Sequence, residues 1–252
     1  MPVAGYDAVS LSEMDGVELI NRIDTKFVFR KELLSGLLHN LRDKYRILDI
    51  DGKRLHHYDS LYYDDDRLSL YMAHHNGRAN RFKLRIRRYG TTGASFMEVK
   101  RKTNTGRTVK SRLRTAVFDR ELNSEQLDYF RRQTSLAGGN WKFSVRIGFD
   151  RITLVSMDPP ERLTLDLNLV FEGGNGMKAL TDLVIAEVKQ GGKQPSVFLA
   201  EMRQRHIKAF SISKYCMAVS MLEPQVRQNL FKSKHRSLKK LQENSLNGTG
   251  PV

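Results

Sequence analysis

Cysteine is almost absent from this sequence, which has one, Cys216, in 252 residues. A single cysteine excludes a disulfide framework and any zinc site built on two cysteines, and it favours a reducing compartment. Long hydrophobic runs are also missing, because every apolar stretch is interrupted well before the ~20 residues of a membrane helix. The first 20 residues carry four acidic side chains without a basic start, so they do not resemble a signal peptide. We expect a cytoplasmic protein with no membrane segment.

Acidic residues are scarce relative to basic ones. The sequence has 28 Asp and Glu against 43 Lys and Arg, which gives a net charge of +15. Its apolar content of 40% is sufficient for a core, so the charge is carried by a folded protein. Residues 224–252 contribute +5, and residues 1–223 keep +10. We predict one domain over residues 1–223, a basic and flexible tail over residues 224–252, and a polyanionic partner.

Charged residues occupy alternate positions in several segments, which is the pattern of a strand with one polar face. In residues 82–87, for example, Lys83, Arg85 and Arg87 share one face, opposite three apolar side chains. The segments that alternate in this way are 22–29, 82–87, 97–100, 108–112, 161–171 and 183–189. Residues 145–154 also indicate a strand, but Arg151 falls on the same side as the apolar Ile147 and Phe149, so the strand needs either a bulge or a face that apolar and charged residues share.

A flat sheet of these strands would align like charges at cross-strand distance, where they repel. Closure of the sheet with its polar face inward solves this, because the apolar outer face can then be covered by helices. The sequence has helical patterns for this purpose at residues 10–20, 31–43, 123–130, 195–207 and 213–222. We therefore predict an α+β fold in which a closed antiparallel β-barrel with a polar, cationic lumen is surrounded by helices.

The narrow, cationic lumen of a small barrel restricts the ligands that can bind in it. Duplex nucleic acid is too wide for a small barrel, whereas a triphosphate or polyphosphate chain fits. The acidic residues within the cationic strands are either divalent metal ligands or salt-bridge partners, and the pattern leaves both open for Asp24, Glu98, Asp166 and Glu187. A glycine fingerprint for dinucleotides and a Walker loop are both missing.

Nine short motifs occur in an order that resembles the VTC domain, over about residues 20–220. This is the catalytic domain of the vacuolar transporter chaperone polyphosphate polymerases, a branch of the triphosphate tunnel metalloenzymes with a CYTH-like fold. The motifs are Arg22-Ile23-Asp24-Thr25-Lys26-Phe27, Tyr62-Tyr63-Asp64, Lys83-Leu84-Arg85-Ile86-Arg87-Arg88-Tyr89, Glu98-Val99-Lys100, Val109-Lys110-Ser111-Arg112, Phe149-Asp150-Arg151, Arg162-Leu163-Thr164-Leu165-Asp166, Glu187-Val188-Lys189 and Ser213-Lys214-Tyr215.

The resemblance implies an eight-stranded tunnel in which the γ-phosphate of ATP passes to a growing inorganic polyphosphate chain with Mn²⁺ or Mg²⁺. It also implies roles for individual residues. The catalytic residues would be Lys26, Arg85, Arg87, Lys100, Lys110, Arg151 and Arg162. Further phosphate-binding residues would be Lys83, Arg112, Lys189, Ser213 and Lys214. Glu187 would hold the metal.

The sequence differs from the hydrolases of that superfamily at one motif. The tunnel triphosphatases begin with Glu-x-Glu-x-Lys, whereas this chain has Arg22-x-Asp24-x-Lys26. Hydrolysis needs a carboxylate that positions and deprotonates water, but a terminal phosphate acceptor is already ionised. This loss favours phosphoryl transfer. A metal-dependent tripolyphosphatase or nucleoside triphosphatase and a non-catalytic polyphosphate-binding module are the alternatives, and Glu187 argues against the second.

Overall fold

The computed structural model describes residues 3–15, 23–134, 136 and 140–246. It has eleven strands and seven α-helices within these residues. The strands are β1 (Ala8–Val9), β2 (Ile23–Arg30), β3 (Arg46–Leu48), β4 (His56–Asp64), β5 (Arg81–Tyr89), β6 (Ser95–Lys102), β7 (Thr108–Thr115), β8 (Lys142–Met157), β9 (Pro160–Gly173), β10 (Gly176–Leu180) and β11 (Leu183–Gln190). The helices are α1 (Leu11–Asp15), α2 (Leu34–Leu41), α3 (Ser69–His75), α4 (Ser124–Gln133), α5 (Val197–Gln204), α6 (Lys214–Leu222) and α7 (Lys232–Leu246).

The strands form one curved sheet, and the prediction of a closed eight-stranded barrel was wrong. The main path runs β2-β11-β9-β8-β4-β5-β6-β7, and every neighbouring pair along it is antiparallel. Strands β1, β3 and β10 attach to the sides of this path. In the described part of the chain β2 and β7 remain the two ends of the path and do not pair with each other.

The edge of β2 shows why the sheet stays open. The Phe210 N–H donates to the carbonyl of Lys26 at 2.6 Å, and Lys26 Nζ donates to the carbonyl of Ile212 at 3.3 Å. The segment that contains Phe210 and Ile212 therefore covers this edge of β2. A strand that closed the barrel would have to pair with the same edge.

Apolar residues on the outer face of the sheet pack under helices, as the alternation predicts. Helices α2 and α5 cover β2, β9 and β11, while α4 covers β5 and β6. Helix α4 begins with a capping box, in which Asn123 accepts from the Gln126 N–H at 2.9 Å and the Gln126 side chain accepts from the Asn123 N–H at 3.1 Å. Of the helix predicted at residues 10–20, residues 10–15 lie within the described part of the chain, and Leu11–Asp15 form α1.

The concave face of the sheet has an apolar half and a polar half. Helix α6 packs on the apolar half against residues such as Ile147, Phe149 and Ile185. The apolar and charged residues of β8 share this face, which is one of the two arrangements that its sequence allows. Alternation along β8 is unbroken beside β4, where Phe149 pairs with Tyr58 and Arg151 with His56. Ile147 therefore lies in the apolar core and Arg151 on the polar half of the same face. The register with β9 shifts between Gly148 and Asp150, and the extra residue belongs to β9, where Asn168 has a positive φ of 51°. The polar half is left as an open cavity.

The segment that we expected to be a flexible tail is largely helical. A 3₁₀ turn, Asn229–Phe231, leads into α7, and the side chains of Phe231 and Leu238 are buried in the cluster that contains α6. None of the helices in the described residues has both the length and the apolar character that a bilayer crossing requires.

Candidate functional site

All thirteen residues to which the resemblance gives a role line one cavity of about 760 Å³ on the concave face. They come from seven strands of the sheet and from the N-terminus of α6. Their positions are Lys26, Lys83, Arg85, Arg87, Lys100, Lys110, Arg112, Arg151, Arg162, Glu187, Lys189, Ser213 and Lys214. Of the other residues singled out in the sequence, Arg22 lies outside the described residues. Asp24 is exposed opposite Lys189 and is not part of the cavity wall.

One wall of the cavity consists of β5, β6 and β7, and it carries rows of directly opposed cations. Lys83 pairs in register with Lys100, which pairs with Lys110 on the next strand. Like charges at directly opposed positions destabilise a sheet. An anion bound inside the cavity would therefore stabilise this row of lysines.

The next row of this wall contains a carboxylate between two arginines, Arg85, Glu98 and Arg112. Arg85 Nε donates to Glu98 at 2.6 Å, and Lys110 Nζ lies 2.6 Å from the other carboxylate oxygen. Burial raises the pKa of Glu98, but Arg85, Arg87 and Lys110 lower it by more, so that it falls to about 2. Glu98 is thus a fixed anion that holds Arg85 and Lys110 in place.

Asp166 has the same role on the opposite wall. Arg151 binds it with two hydrogen bonds, from Nε at 2.6 Å and from Nη2 at 2.8 Å, and Lys214 Nζ donates to the second oxygen. Burial raises the pKa of Asp166, but the charges of Arg151 and Lys214 lower it well below its usual range. Asp166 therefore anchors α6 to β8 through two cations.

Glu187 is held more loosely than these two carboxylates. Its oxygens lie 3.6 Å from Lys26 Nζ and 3.7 Å from Lys189 Nζ, both longer than a hydrogen bond of normal length. Burial raises its pKa, but Lys26, Lys189, Arg151 and Lys100 lower it to about 2, so it is ionised at neutral pH. The carboxylate is free to accept another ligand from the cavity.

The chemistry of this site fits a divalent metal only together with a substrate. Across the described ranges no three His, Cys, Asp or Glu side chains are grouped as a metal cluster. Mg²⁺ is commonly bound by one or two carboxylates plus phosphate oxygens and water, and one loosely held carboxylate meets that requirement. Of the acidic residues considered from the sequence, Glu187 therefore suits a metal best, whereas Glu98 and Asp166 are occupied by cations.

Aromatic rings fix the direction of two arginines. The guanidinium carbons of Arg87 and Arg151 lie 5.3 and 4.9 Å from the centroid of the Tyr58 ring, and both also lie over Phe149. The Tyr58 and Phe149 rings are stacked with an interplanar angle of 5°. Arg87 also donates from Nε to Ser60 at 3.0 Å. These contacts orient the arginines before any ligand binds.

The N-terminus of α6 brings Ser213 and Lys214 into the cavity. Ser213 caps the helix by accepting from the Cys216 N–H at 3.3 Å, and its hydroxyl also accepts from Lys83 Nζ at 2.8 Å. Lys214 Nζ lies 4.5 Å from the centroid of Phe149. Cys216 itself is fully buried, as its apolar sequence neighbours indicate.

Tyr62 is a cavity residue to which the sequence reasoning gave no role. Its hydroxyl accepts from Arg85 Nη1 at 2.8 Å, and its ring stacks on Tyr215 of α6 at 5.1 Å. Burial raises the pKa of Tyr62, but Arg85, Arg87 and Lys83 lower it by more, to about 8. Tyr58, Ser60 and Tyr62 alternate along β4, and this alternation could have predicted that they share a face. The sequence reasoning followed charged residues, and none of these three is charged.

Comparisons with solved structures identify the fold. A putative adenylate cyclase from Bacillus halodurans is 14% identical, with a TM-score of 0.50, over 79% of this chain and 98% of that chain. A putative adenylyl cyclase from Hippeastrum, described as having a dominant triphosphatase activity, is 15% identical with a TM-score of 0.49 over 79% of this chain and 95% of that chain. At this identity, the likeness to the Bacillus halodurans protein bears on the fold alone.

Comparisons of the sequence give the family. Among curated proteins no match was found. The sequence model of the VTC domain matches residues 21–223, which contain every residue that lines the cavity from β2 to α6. The chain belongs to the VTC domain family.

Proposed function

We propose that this protein is an ATP-dependent polyphosphate polymerase that transfers the γ-phosphate of ATP to the end of an inorganic polyphosphate chain. The observation that carries the proposal is the distribution of charge in the cavity. Cations line both walls of the cavity. Of the three carboxylates on its described walls, Glu98 and Asp166 already form short ion pairs with neighbouring cations. Such a cavity suits a chain of phosphates along its whole length.

The proposed reaction is an in-line phosphoryl transfer. An ionised oxygen of the terminal phosphate forms a bond to the γ-phosphorus of ATP, and the bond from that phosphorus to the β,γ-bridging oxygen breaks. ADP leaves with the electron pair of the broken bond, and the chain is longer by one phosphate. The acceptor oxygen carries no proton at neutral pH, so the step needs no general base.

The cations supply positioning and charge stabilisation, which are the main contributions of a protein to phosphoryl transfer. We assign this role to Lys26, Arg85, Arg87, Lys100, Lys110, Arg151 and Arg162, and further phosphate contacts to Lys83, Arg112, Lys189, Ser213 and Lys214. Arginine forks offer paired hydrogen bonds to two oxygens, and lysines act as point charges. Because Arg87 and Arg151 are oriented beforehand by aromatic rings, they lose little freedom when phosphate binds.

We assign Mn²⁺ or Mg²⁺ to Glu187. When bound, the metal would neutralise charge on the β- and γ-phosphates. Glu187 lies opposite Lys26 in the register of β2 and β11, so a metal there would be next to cations that contact the same phosphates.

Transfer is favoured over hydrolysis because the carboxylates described on the cavity wall are poorly suited to act as bases. A carboxylate that activates water must be able to accept its proton. Within the described residues, the carboxylates on the cavity wall are Glu98, Asp166 and Glu187. Burial raises the pKa of each of them, but neighbouring cations lower it by more. They are therefore poor bases for water but compatible with an acceptor that is already ionised.

The test is a product assay. Purified protein is incubated with ATP and Mn²⁺, and the products are separated by gel electrophoresis for polyphosphate and measured for free phosphate. Long-chain polyphosphate with little free phosphate supports the proposal. Release of free phosphate without chain growth would identify a hydrolase, and neither product would indicate a binding module. Glu172→Gln, which removes an acid paired with Arg120 and Arg146 outside the cavity, is a matched control for cavity variants.

A further inference from the structure

Helix α7 follows the segment that matches the VTC domain, residues 21–223, and it is attached firmly to the domain. Phe231 and Leu238 are buried in the same cluster as α6. His235 Nε2 lies 2.8 Å from the Ser220 hydroxyl of α6, within hydrogen-bond distance. A helix held by these contacts keeps a fixed position relative to the cavity.

The outer face of α7 carries a row of cations. Lys232, Arg236 and Lys240 are exposed and follow one another at intervals of four residues, so they lie along one line on the helix. The row is about 12 Å long at 1.5 Å per residue. Like charges four residues apart destabilise a helix. Glu243, the one acid in the sequence of α7, pairs with Lys239 at 3.5 Å rather than with this row.

The inner face of α7 connects this row to the cavity. The helix contacts β2, which carries Lys26. Lys234, on the inner face, lies 5.8 Å from the centroid of Phe231, whose ring is 6.2 Å from that of His74. Burial and the charges of Lys83, Arg81, Lys234 and Lys102 lower the pKa of His74 to about 3, as expected where cations from three elements surround one imidazole.

Cations therefore continue from the cavity to the surface of α7. The lysine row of Lys83, Lys100 and Lys110 is followed on the same face, two register pairs further along β5 and β6, by the opposed cations Arg81 and Lys102. Lys234 of α7 acts on the same His74 imidazole as Arg81 and Lys102, and the outer row lies on the exposed face of that helix. Leu238 of the helix is buried against the domain and Leu241 packs against the same cluster, so these side chains are not presented to a lipid surface.

We infer that α7 is a surface track for inorganic polyphosphate chains that are longer than the cavity. This rests on the proposed function, since it assumes that phosphates occupy the cavity. A chain that leaves the cavity past Lys83 meets Arg81, Lys102 and Lys234 and then lies along Lys232, Arg236 and Lys240. The track would raise the affinity for long chains and retain a growing product, while tripolyphosphate would not reach it.

The test compares two triple variants that remove the same charge. Lys232→Ala/Arg236→Ala/Lys240→Ala neutralises the row, and alanine keeps the helix. Lys44→Ala/Arg132→Ala/Lys178→Ala removes three exposed cations elsewhere on the protein. A double variant, Lys232→Arg/Lys240→Arg, preserves the charge of the row. Dissociation constants for tripolyphosphate and for long-chain polyphosphate are measured without metal at several salt concentrations.

The α7 triple variant should bind long-chain polyphosphate about three- to tenfold more weakly, as expected for the loss of three exposed ionic contacts. The salt dependence of long-chain binding should decrease by about two to three in logarithmic slope. Tripolyphosphate affinity should change less than twofold, and the charge-preserving double variant should keep the affinity of the wild type for long chains.

Equal losses in the two triple variants would overturn the inference, because they would indicate a diffuse charge effect. An equal loss of affinity for single-stranded DNA in the α7 variant would also overturn it, since the row would then be a general polyanion surface. Failure of the wild type to bind tripolyphosphate would contradict the proposed function itself. Normal tripolyphosphate binding with no change in long-chain binding would contradict the role of α7 alone.

Discussion

Lys26 and Glu187 face each other across β2 and β11, with Lys26 Nζ 3.6 Å from Glu187 Oε1. The same ammonium donates to the carbonyl of Ile212 at 3.3 Å, so it is shared between two acceptors. This geometry separates Glu187 from Glu98 and Asp166, which are bound at close range by arginine and lysine. A metal bound with the substrate can approach Glu187 without the disruption of a short ion pair.

Replacement of Glu187 by glutamine should abolish metal-dependent turnover. Binding of tripolyphosphate without metal should stay the same or become tighter, because the change removes a negative charge from a cationic cavity. Turnover with Mn²⁺ and calorimetric binding of tripolyphosphate are the two measurements. Glu172→Gln should change neither, and undiminished polymerisation by Glu187→Gln would refute the metal assignment.

Arg85→Ala and Arg162→Ala should each weaken triphosphate binding by about 1.5 to 3 kcal/mol, the range for a hydrogen bond to a charged group. Arg85→Lys should recover only part of this loss, because lysine lacks the fork that binds two oxygens. Titration with a non-hydrolysable triphosphate measures both constants. Arg132→Ala, which changes an exposed arginine of α4, is the control. Unchanged affinity in both cavity variants would mean that these side chains do not contact phosphate.

The sequence is informative about this site because the alternation of polar and apolar residues assigns each side chain to one face of its strand. This assignment is the same whether the sheet is open or closed into a barrel. Lys83, Arg85 and Arg87 could be assigned to one face from β5 alone, and they line the cavity. Closure could not be predicted in the same way. It depends on Phe210, a residue from a distant part of the chain, which covers the edge of β2 at Lys26.

The sequence also could not predict which carboxylates of the cavity form ion pairs. Glu98, Asp166 and Glu187 have similar sequence contexts, each two or four residues from a cation of the same strand. Only the interatomic distances distinguish the two carboxylates in short ion pairs from the third, which is held loosely. The burial of Phe231 and Leu238 was similarly hidden, since a basic segment with few apolar residues is typical of a solvated tail. Its helical period, rather than its composition, contained the necessary information.

Asp166→Asn should destabilise the ligand-free protein by about 3 to 5 kcal/mol, because Arg151 and Lys214 remain buried without their counter-charge. Urea unfolding measures the change. Tripolyphosphate should restore more stability to this variant than it adds to the wild type, since phosphate replaces the lost anion. A loss below about 1 kcal/mol would show that the two cations are already neutralised by other groups.

Lys100 should make phosphate binding sensitive to pH. Burial and the charges of Arg85, Lys26 and Lys83 lower its pKa to about 8, against a smaller opposite effect of Glu187. Tripolyphosphate affinity should therefore decrease as the pH rises through about 8, where the lysine loses its proton. Lys100→Arg should remove this step, because arginine stays charged. A pH profile that is the same in both proteins would exclude Lys100 as its source.

The same group should affect stability with the opposite sign. Between about pH 8 and 10.5 the unfolded chain retains the Lys100 proton that the folded protein has lost. The free energy of unfolding of the ligand-free protein therefore rises with pH in this window through Lys100. Comparison of wild type with Lys100→Arg in urea unfolding isolates this contribution.

Phosphate chains should stabilise the protein in proportion to their length until the cavity is filled. Repulsion among the cations of the empty cavity is a destabilising contribution, and an anion that binds only the folded state relieves it. At a hundredfold excess over Kd the stabilisation is roughly 2.7 kcal/mol, which corresponds to a rise of several degrees in Tm. Orthophosphate spans only part of the cavity and should have a smaller effect than tripolyphosphate.

A melting series with phosphate, pyrophosphate, tripolyphosphate and long-chain polyphosphate at matched ionic strength, without metal, measures this dependence. A rise in Tm that levels off with chain length indicates an enclosed site of finite length, whereas equal shifts for all four ligands would assign the effect to diffuse surface charge.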